Sequence, residues 1–182
     1  MLLKFLGWLL SPFLKRNKKV MKAKNCILSP VEGKIIYKKT KCDFLEFLKN
    51  RKVINVGIYL SPFNIHFFKS PIDGKIVKIW EIDGKILRMK NPFYEKFSKK
   101  IILEIRGKIR VFLIILPAKF FGRIMLFKKK GQKVFQGENL GFITLGSQVN
   151  LIVVNLPKTW KTIGKLKAKI SIGGKLFCNS LE

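Results

Sequence analysis

The chain is short of acids, of histidine, of cysteine and of long apolar runs, and each shortage removes a class of protein. Asp and Glu number 10 against 38 Lys and Arg, which leaves a formal charge of +28 over 182 residues. With so few carboxylates and a single imidazole, His66, no metal centre is expected. Cys26, Cys42 and Cys178 are odd in number, far apart and without a CxxC pair. They indicate neither a zinc site nor a disulfide scaffold, and three reduced thiols are expected. The apolar stretch Leu2 to Leu14 is broken by Lys4 and Pro12, and it falls short of the roughly 20 residues that a spanning helix needs. No small-x-small cleavage site follows it, which argues against a signal peptide. No linker or low-complexity tract divides the chain.

What is present is a basic, hydrophobic, strand-forming sequence. An apolar content of 48% argues against disorder. Abundant Lys, Ile, Phe and Asn, of the kind an AT-rich genome encodes, accounts for part of the charge; the rest asks for an anionic partner. The basic residues are dispersed and no zinc-finger, helix-turn-helix or single-strand-binding motif accompanies them, so nucleic acid is not expected. An anionic lipid surface fits better, since each nearby Lys or Arg is worth about 1 kcal/mol there. The start, MLLKFLGWLLSPFLKRNKK, reads as an interfacial helix with Trp8 and leucines at the lipid and Lys15, Arg16, Lys18 and Lys19 on phosphates. A helix packed on the core is the rival. Residues 1–19 are therefore expected to anchor the chain peripherally to the cell membrane, on the cytoplasmic side, and residues 20–182 to form one β domain.

Past residue 25, runs such as KIIYKK, KVINVGIYL, GKIVKIWEI, KILRMK, KIILEIRGKIRVFLIIL, GRIMLF, VNLIVV and KAKISI cluster β-formers between Gly-Lys, Asp-Gly and Pro turns. A mainly antiparallel β protein is predicted, with one short helix over 43–50, DFLEFLKN. SPVEGKI (Ser29 to Ile35) and SPIDGKI (Ser70 to Ile76) are near-copies and suggest a doubled β-unit. The pattern Gly131-x-x-Val134-x-x-Gly137-x-x-Leu140-Gly141 resembles the hairpin of biotinyl and lipoyl domains, so a barrel-sandwich core is predicted. That likeness also supplies a rival function, a non-catalytic membrane adaptor. Arg88-Met89-Lys90 is a poor match to the modified lysine such a carrier needs.

The glycine-punctuated run that begins at Gly131 ends in Leu145-Gly146-Ser147. A serine there can attack the carbonyl of Gly146 and turn the peptide into an ester. β-Elimination would then leave a pyruvoyl group made from Ser147, and the chain split into residues 1–146 and 147–182. Upstream, SPFNIHFFK (Ser61 to Lys69) holds His66, the one side chain that titrates near neutrality by default.

SPVEGKI, SPFNIH and LGS in this order resemble the motifs of phosphatidylserine decarboxylase proenzymes of the short, compact type, from Ser29 to Pro157. The resemblance implies an enzyme that captures the amine of phosphatidylserine on its pyruvoyl cofactor, releases CO2 and leaves phosphatidylethanolamine. It places Ser147 as cleavage nucleophile and cofactor precursor, with Gly146 preceding the cut, and His66 in decarboxylation. Glu32 and Lys69 stand where long members carry an Asp and a second His that complete a self-cleavage triad. Asp73 could replace Glu32. Expected partners are phosphatidylserine, an anionic membrane, and the chain's own two fragments; a homodimer is left open. Lys34, Lys69, Lys75 and Arg123 are candidates for the lipid phosphate. A pyruvoyl decarboxylase of a small amino acid and a degenerate relative that no longer cuts itself are the remaining alternatives.

Overall fold

The computed structural model describes residues 18–62, 64, 66–85, 87–88, 91, 93–117, 123–143 and 147–180. The predicted interfacial helix lies outside them, apart from Lys18 and Lys19. The strands are β1 (Cys26–Leu28), β2 (Gly33–Lys39), β3 (Val53–Leu60), β4 (Phe67–Lys69), β5 (Gly74–Ile82), β6 (Lys100–Arg106), β7 (Arg110–Pro117), β8 (Ile124–Leu126), β9 (Lys133–Val134), β10 (Asn139–Ile143), β11 (Ser147–Val154), β12 (Trp160–Thr162), β13 (Lys169–Ile170) and β14 (Lys175–Asn179). One helical turn, α1 (Tyr94–Phe97), interrupts them. Every strand pair is antiparallel. The strands form an eight-stranded sheet, β13-β2-β3-β11-β7-β6-β5-β9, and two three-stranded sheets, β1-β14-β12 and β4-β10-β8; none of them closes into a barrel.

That order is a palindrome of two equivalent halves, with β11 and β7 at the centre. β2 matches β5, β3 matches β6, β13 matches β9, and the small sheets match each other strand for strand. The Ser-Pro echo is the local seed of this doubling. Ser29 Oγ donates to the Val31 carbonyl at 2.7 Å, and Ser70 Oγ donates to the Ile72 carbonyl at 2.7 Å. The two turns grip each other, Leu28 N–H bonding the Pro71 carbonyl and Lys69 N–H the Pro30 carbonyl. Gly173 and Gly137 close them on the far side with φ of +78° and +82°, a conformation glycine adopts without a Cβ penalty.

The main core lies between the large sheet and the two small ones, built from Ile58, Phe68, Ile105, Leu113, Val149 and Leu151 among others. The other face of the large sheet is covered by residues 42–48 and α1. β11 is therefore buried along its whole length. Its alternate side chains enter two environments, as strand geometry requires: Val149, Leu151 and Val153 face the main core, while Ile152 and Val154 face the second cluster.

Three sequence expectations need correction. DFLEFLKN forms only a 3-10 turn, Glu46–Leu48, because Leu45 and Leu48 need only one turn to reach the second cluster. Lys85 makes an isolated bridge to Ser98, and no strand forms at Leu87 or Arg88. Cys26 and Cys178 are not reduced thiols but a disulfide. They face each other in the β1–β14 ladder, with Cα atoms 4.1 Å apart across 152 residues of sequence. Only Cys42 stays free, buried, and burial pushes its thiol up to about 11.

Candidate active site

Ser147 opens β11 at the middle of the large sheet, paired with Leu60 of β3 on one side and Pro117 of β7 on the other. It is wholly buried, and its Oγ has no hydrogen-bond partner among the described residues. Buried hydroxyls are nearly always satisfied, and one left alone calls for an explanation. Leaving such a group unpaired costs about 1–3 kcal/mol.

α1 braces this point from the opposite face. Tyr94 Oη donates to the Leu116 and Pro117 carbonyls, at 3.2 and 3.0 Å. Glu95 Oε1 accepts from Tyr37 Oη, from Gln148 Nε2 at 2.5 Å and from Asn150 Nδ2 at 3.2 Å. Gln148 Nε2 also reaches Asn150 Oδ1 at 2.8 Å. Burial and the neighbouring Glu95 carboxylate raise the Tyr37 phenol far above its usual range, so it stays a donor. Pro117, a ladder partner of Ser147, and Gln148, the residue after it, are thus both tied to one helical turn.

His66 lies just before β4, almost fully buried. Its carbonyl accepts from Ile143 N–H at 3.0 Å. Ile143 is the last described residue before Ser147, and His66 stands at the same end of β10. The ring rests against Phe142 at 6.3 Å. Burial lowers its pKa and a backbone bond at Asn64 offsets part of that shift, so the imidazole is neutral at pH 7.

Glu32 belongs to the same region. Asn64 Nδ2 donates to Glu32 Oε1 at 3.0 Å, and Asn64 Oδ1 accepts from the Ser61 N–H at 2.8 Å. Ser61 follows Leu60, the ladder partner of Ser147. Glu32 therefore holds the SPFNIH turn through Asn64. Glu32, Lys34, Tyr59, Ser61 and Asn64 line a cavity of about 580 Å³. Arg123 precedes Ile124, which pairs with Ile143, so it also stands at this end of the small sheet.

Lys69 is elsewhere. It ends β4 and its Nζ donates to Asn139 Oδ1 at 2.5 Å, at the far end of the β4–β10 ladder from His66. Burial lowers its pKa. With Lys18, Lys19 and Lys22 it lines a second cavity of about 660 Å³. The structure joins Glu32 to the His66 turn, while the Lys69 side chain bonds Asn139 and its backbone N–H bonds the Pro30 carbonyl. Asp73 is also apart, accepting from Gln136 N–H and facing Lys22. Lys75 lies in the other half of the fold, paired with Arg106 and Lys133. Asn64 was visible inside SPFNIH, but its role as the link to Glu32 was not; the Tyr37–Glu95–Gln148 network had no motif.

A doubled antiparallel β scaffold of this kind has a solved counterpart in glucose permease IIA from Mycoplasma capricolum, with a TM-score of 0.50 and 16% identity over 86% of this chain and 98% of that one. That likeness concerns the fold alone. The family profile of phosphatidylserine decarboxylase matches residues 6–177, and the chain belongs to this family. The phosphatidylserine decarboxylase proenzymes of Burkholderia vietnamiensis and Burkholderia multivorans are each 28% identical over 161 residues, covering 86% of this chain and 68% of theirs. The chain is a decarboxylase acting on phosphatidylserine.

Proposed function

We propose that the chain cuts itself between Gly146 and Ser147, converts Ser147 to a pyruvoyl group, and decarboxylates phosphatidylserine at a membrane surface. The buried Ser147 Oγ, unpartnered among the described residues, supports this reading most directly, because a buried hydroxyl without a partner is a costly feature that a reactive role explains. The pyruvoyl group supplies the electron sink for loss of the carboxylate.

The chain's own residues provide the rest. Neutral His66 can accept a proton during cutting and later hold one for the substrate carbon, from its place at the end of β10. Glu32 acts through Asn64 by fixing the turn that carries His66. Lys69, bonded to Asn139, supports the β4–β10 ladder. Lys34 and Arg123 are the cations best placed for the lipid phosphate, from the Glu32 cavity and the β8 end. Residues 1–19 anchor the enzyme peripherally. Among the described residues no helix is long and apolar enough to cross a membrane.

Mass analysis after reduction tests the reading. The wild-type protein should give two fragments divided at Gly146, the smaller blocked to N-terminal sequencing, and Ser147→Ala one inactive chain. A wild-type chain that stays at 21.1 kDa after incubation with membranes overturns it.

A further inference from the structure

The outer face of the β4-β10-β8 sheet is apolar and half open. Phe67 and Phe142 pack edge to face at 5.2 Å, with Val20 and Ile172 against them. Met125 pairs with Phe142 across the ladder, and the Phe127 ring lies 6.2 Å from Phe67. Met125 and Phe127 nonetheless stay 46% and 47% exposed. His66 borders the same patch through Phe142. Cations flank it: Lys18 and Lys19 lie on the segment that brings Val20 in, with Lys22 paired to Asp73, and the exposed Lys129 and Lys130 follow Phe127, with Lys128 paired to Glu138.

We propose that this face rests on an anionic phospholipid bilayer, with Met125 and Phe127 entering the acyl boundary and the lysines on headgroups. The inference rests on the decarboxylase reading and adds where the lipid meets the folded domain. Charge complementarity favours lipid over an apolar protein partner, and the face continues into the chain segment that follows the apolar Leu2 to Leu14 stretch. His66, itself buried, lies behind Phe142 at the edge of this face.

Co-sedimentation with phosphatidylcholine vesicles, with and without phosphatidylglycerol, tests it. Met125→Ser with Phe127→Ser should weaken binding about tenfold, and Lys129→Glu with Lys130→Glu at least as much, on anionic vesicles only. Turnover of vesicle phosphatidylserine should fall more than turnover of a soluble short-chain analogue. The losses should persist after removal of residues 1–17. Unchanged vesicle binding overturns the proposal, as does an effect that vanishes with that truncation, which would make the face a seat for the N-terminal segment. Equal loss on both substrates assigns the residues to the fold and overturns it too. A wild-type protein inactive on both substrates counts against the decarboxylase reading, while the binding arm still decides the face.

A second inference comes from the disulfide alone. Cys26 lies before the Gly146–Ser147 bond and Cys178 after it. We infer that the two fragments remain one covalent molecule after the cut. Cutting breaks the Gly146–Ser147 amide and the Ser147 Cβ–Oγ bond, leaves a Gly146 carboxylate, and exchanges ammonia for water at residue 147; the bridge is untouched. Without reductant the mature protein should therefore run as one species of almost unchanged mass, and with reductant as two. Alkylation of the denatured, unreduced protein should label Cys42 only. Fragments that separate without reductant, or three labelled thiols, overturn the bridge. A chain uncut under both conditions with only Cys42 labelled overturns the cut and leaves the bridge standing.

Discussion

Replacing Glu95 by Ala removes one carboxylate from under the strand that begins with Ser147, and its cost can be worked out from the contacts. Tyr37, Gln148 and Asn150 all donate to Glu95 Oε1, and the two β11 side chains are at most 3% exposed. Hydrogen bonds to a charged group contribute about 1.5–3 kcal/mol each. The three do not sum in full, because Gln148 keeps Asn150 and water can reach the half-buried Glu95 site. A net loss of about 2–4 kcal/mol is expected, since removing one member of a buried polar network strands the others. For a urea slope of about 2 kcal/mol/M, the midpoint falls by about 1–2 M. The measurement belongs in the uncut Ser147→Ala chain, so that one polypeptide unfolds. Glu46→Ala, which breaks an exposed pair with Lys49, is the control and should cost under about 0.5 kcal/mol. In the Ser147 background, Glu95→Ala should slow cutting at Gly146–Ser147. A stability loss no larger than the control's, with cutting at the normal rate, would refute the bracing role given to α1.

His66→Ala should nearly abolish CO2 release, by about 10²–10⁴-fold, while leaving some cutting, whereas Glu32→Gln should fall chiefly on cutting; paired time courses of fragments and CO2 check this. Lys69→Met should slow cutting mainly by loosening the β4–β10 ladder, so a matching drop in melting temperature is expected, and a slower cut at unchanged stability would show that Lys69 has a chemical role. The folded state holds His66 below its unfolded value of 6.5. As pH falls, the unfolded chain therefore binds this proton first, and stability drops as pH passes below 6.5 toward the folded value. Urea titrations from about pH 7 to about pH 5 should show a shallower slope in His66→Gln than in wild type; equal slopes would mean that burial does not depress His66. Gly57→Ala should cost about 1–3 kcal/mol by overpacking, because a Cβ there would run into the Tyr37 ring.

The sequence was most readable where local chemistry repeats. The Ser29-Pro30 and Ser70-Pro71 turns declared a doubled unit, and both make the same hydroxyl-to-carbonyl bond at the same place in each half. Long β-branched runs such as Ile101 to Leu116 became strands as written, because both faces of the large sheet are covered. Contacts between distant residues were not readable. Cys26 and Cys178 meet only through the β1–β14 register. In the other half the same ladder positions hold Phe67 and Phe142, so the doubling does not demand cysteine there. Glu95 lies in no motif, and only α1 turns it toward Gln148. Phe44, Leu45 and Leu48 mimic helical spacing, yet a single 3-10 turn places their side chains. Of the proposed site, Ser147 and His66 could be named from their motifs, and the Glu32–Asn64 link could not, because it joins two loops across the fold.

β11 occupies the centre of the palindrome, eight residues paired with β3 on one side and with β7 on the other. Adding a strand in that position last is costly, because β3 and β7 would first have to form with two open edges and a gap between them. Residues 147–182 supplied as a separate peptide should therefore not rescue residues 1–146. On the proposed reading a timetable follows, with synthesis as one chain, folding around β11, and chemistry at Ser147 only once the strand is in place. If the cut falls at Gly146–Ser147, being made as a precursor serves assembly before it serves catalysis.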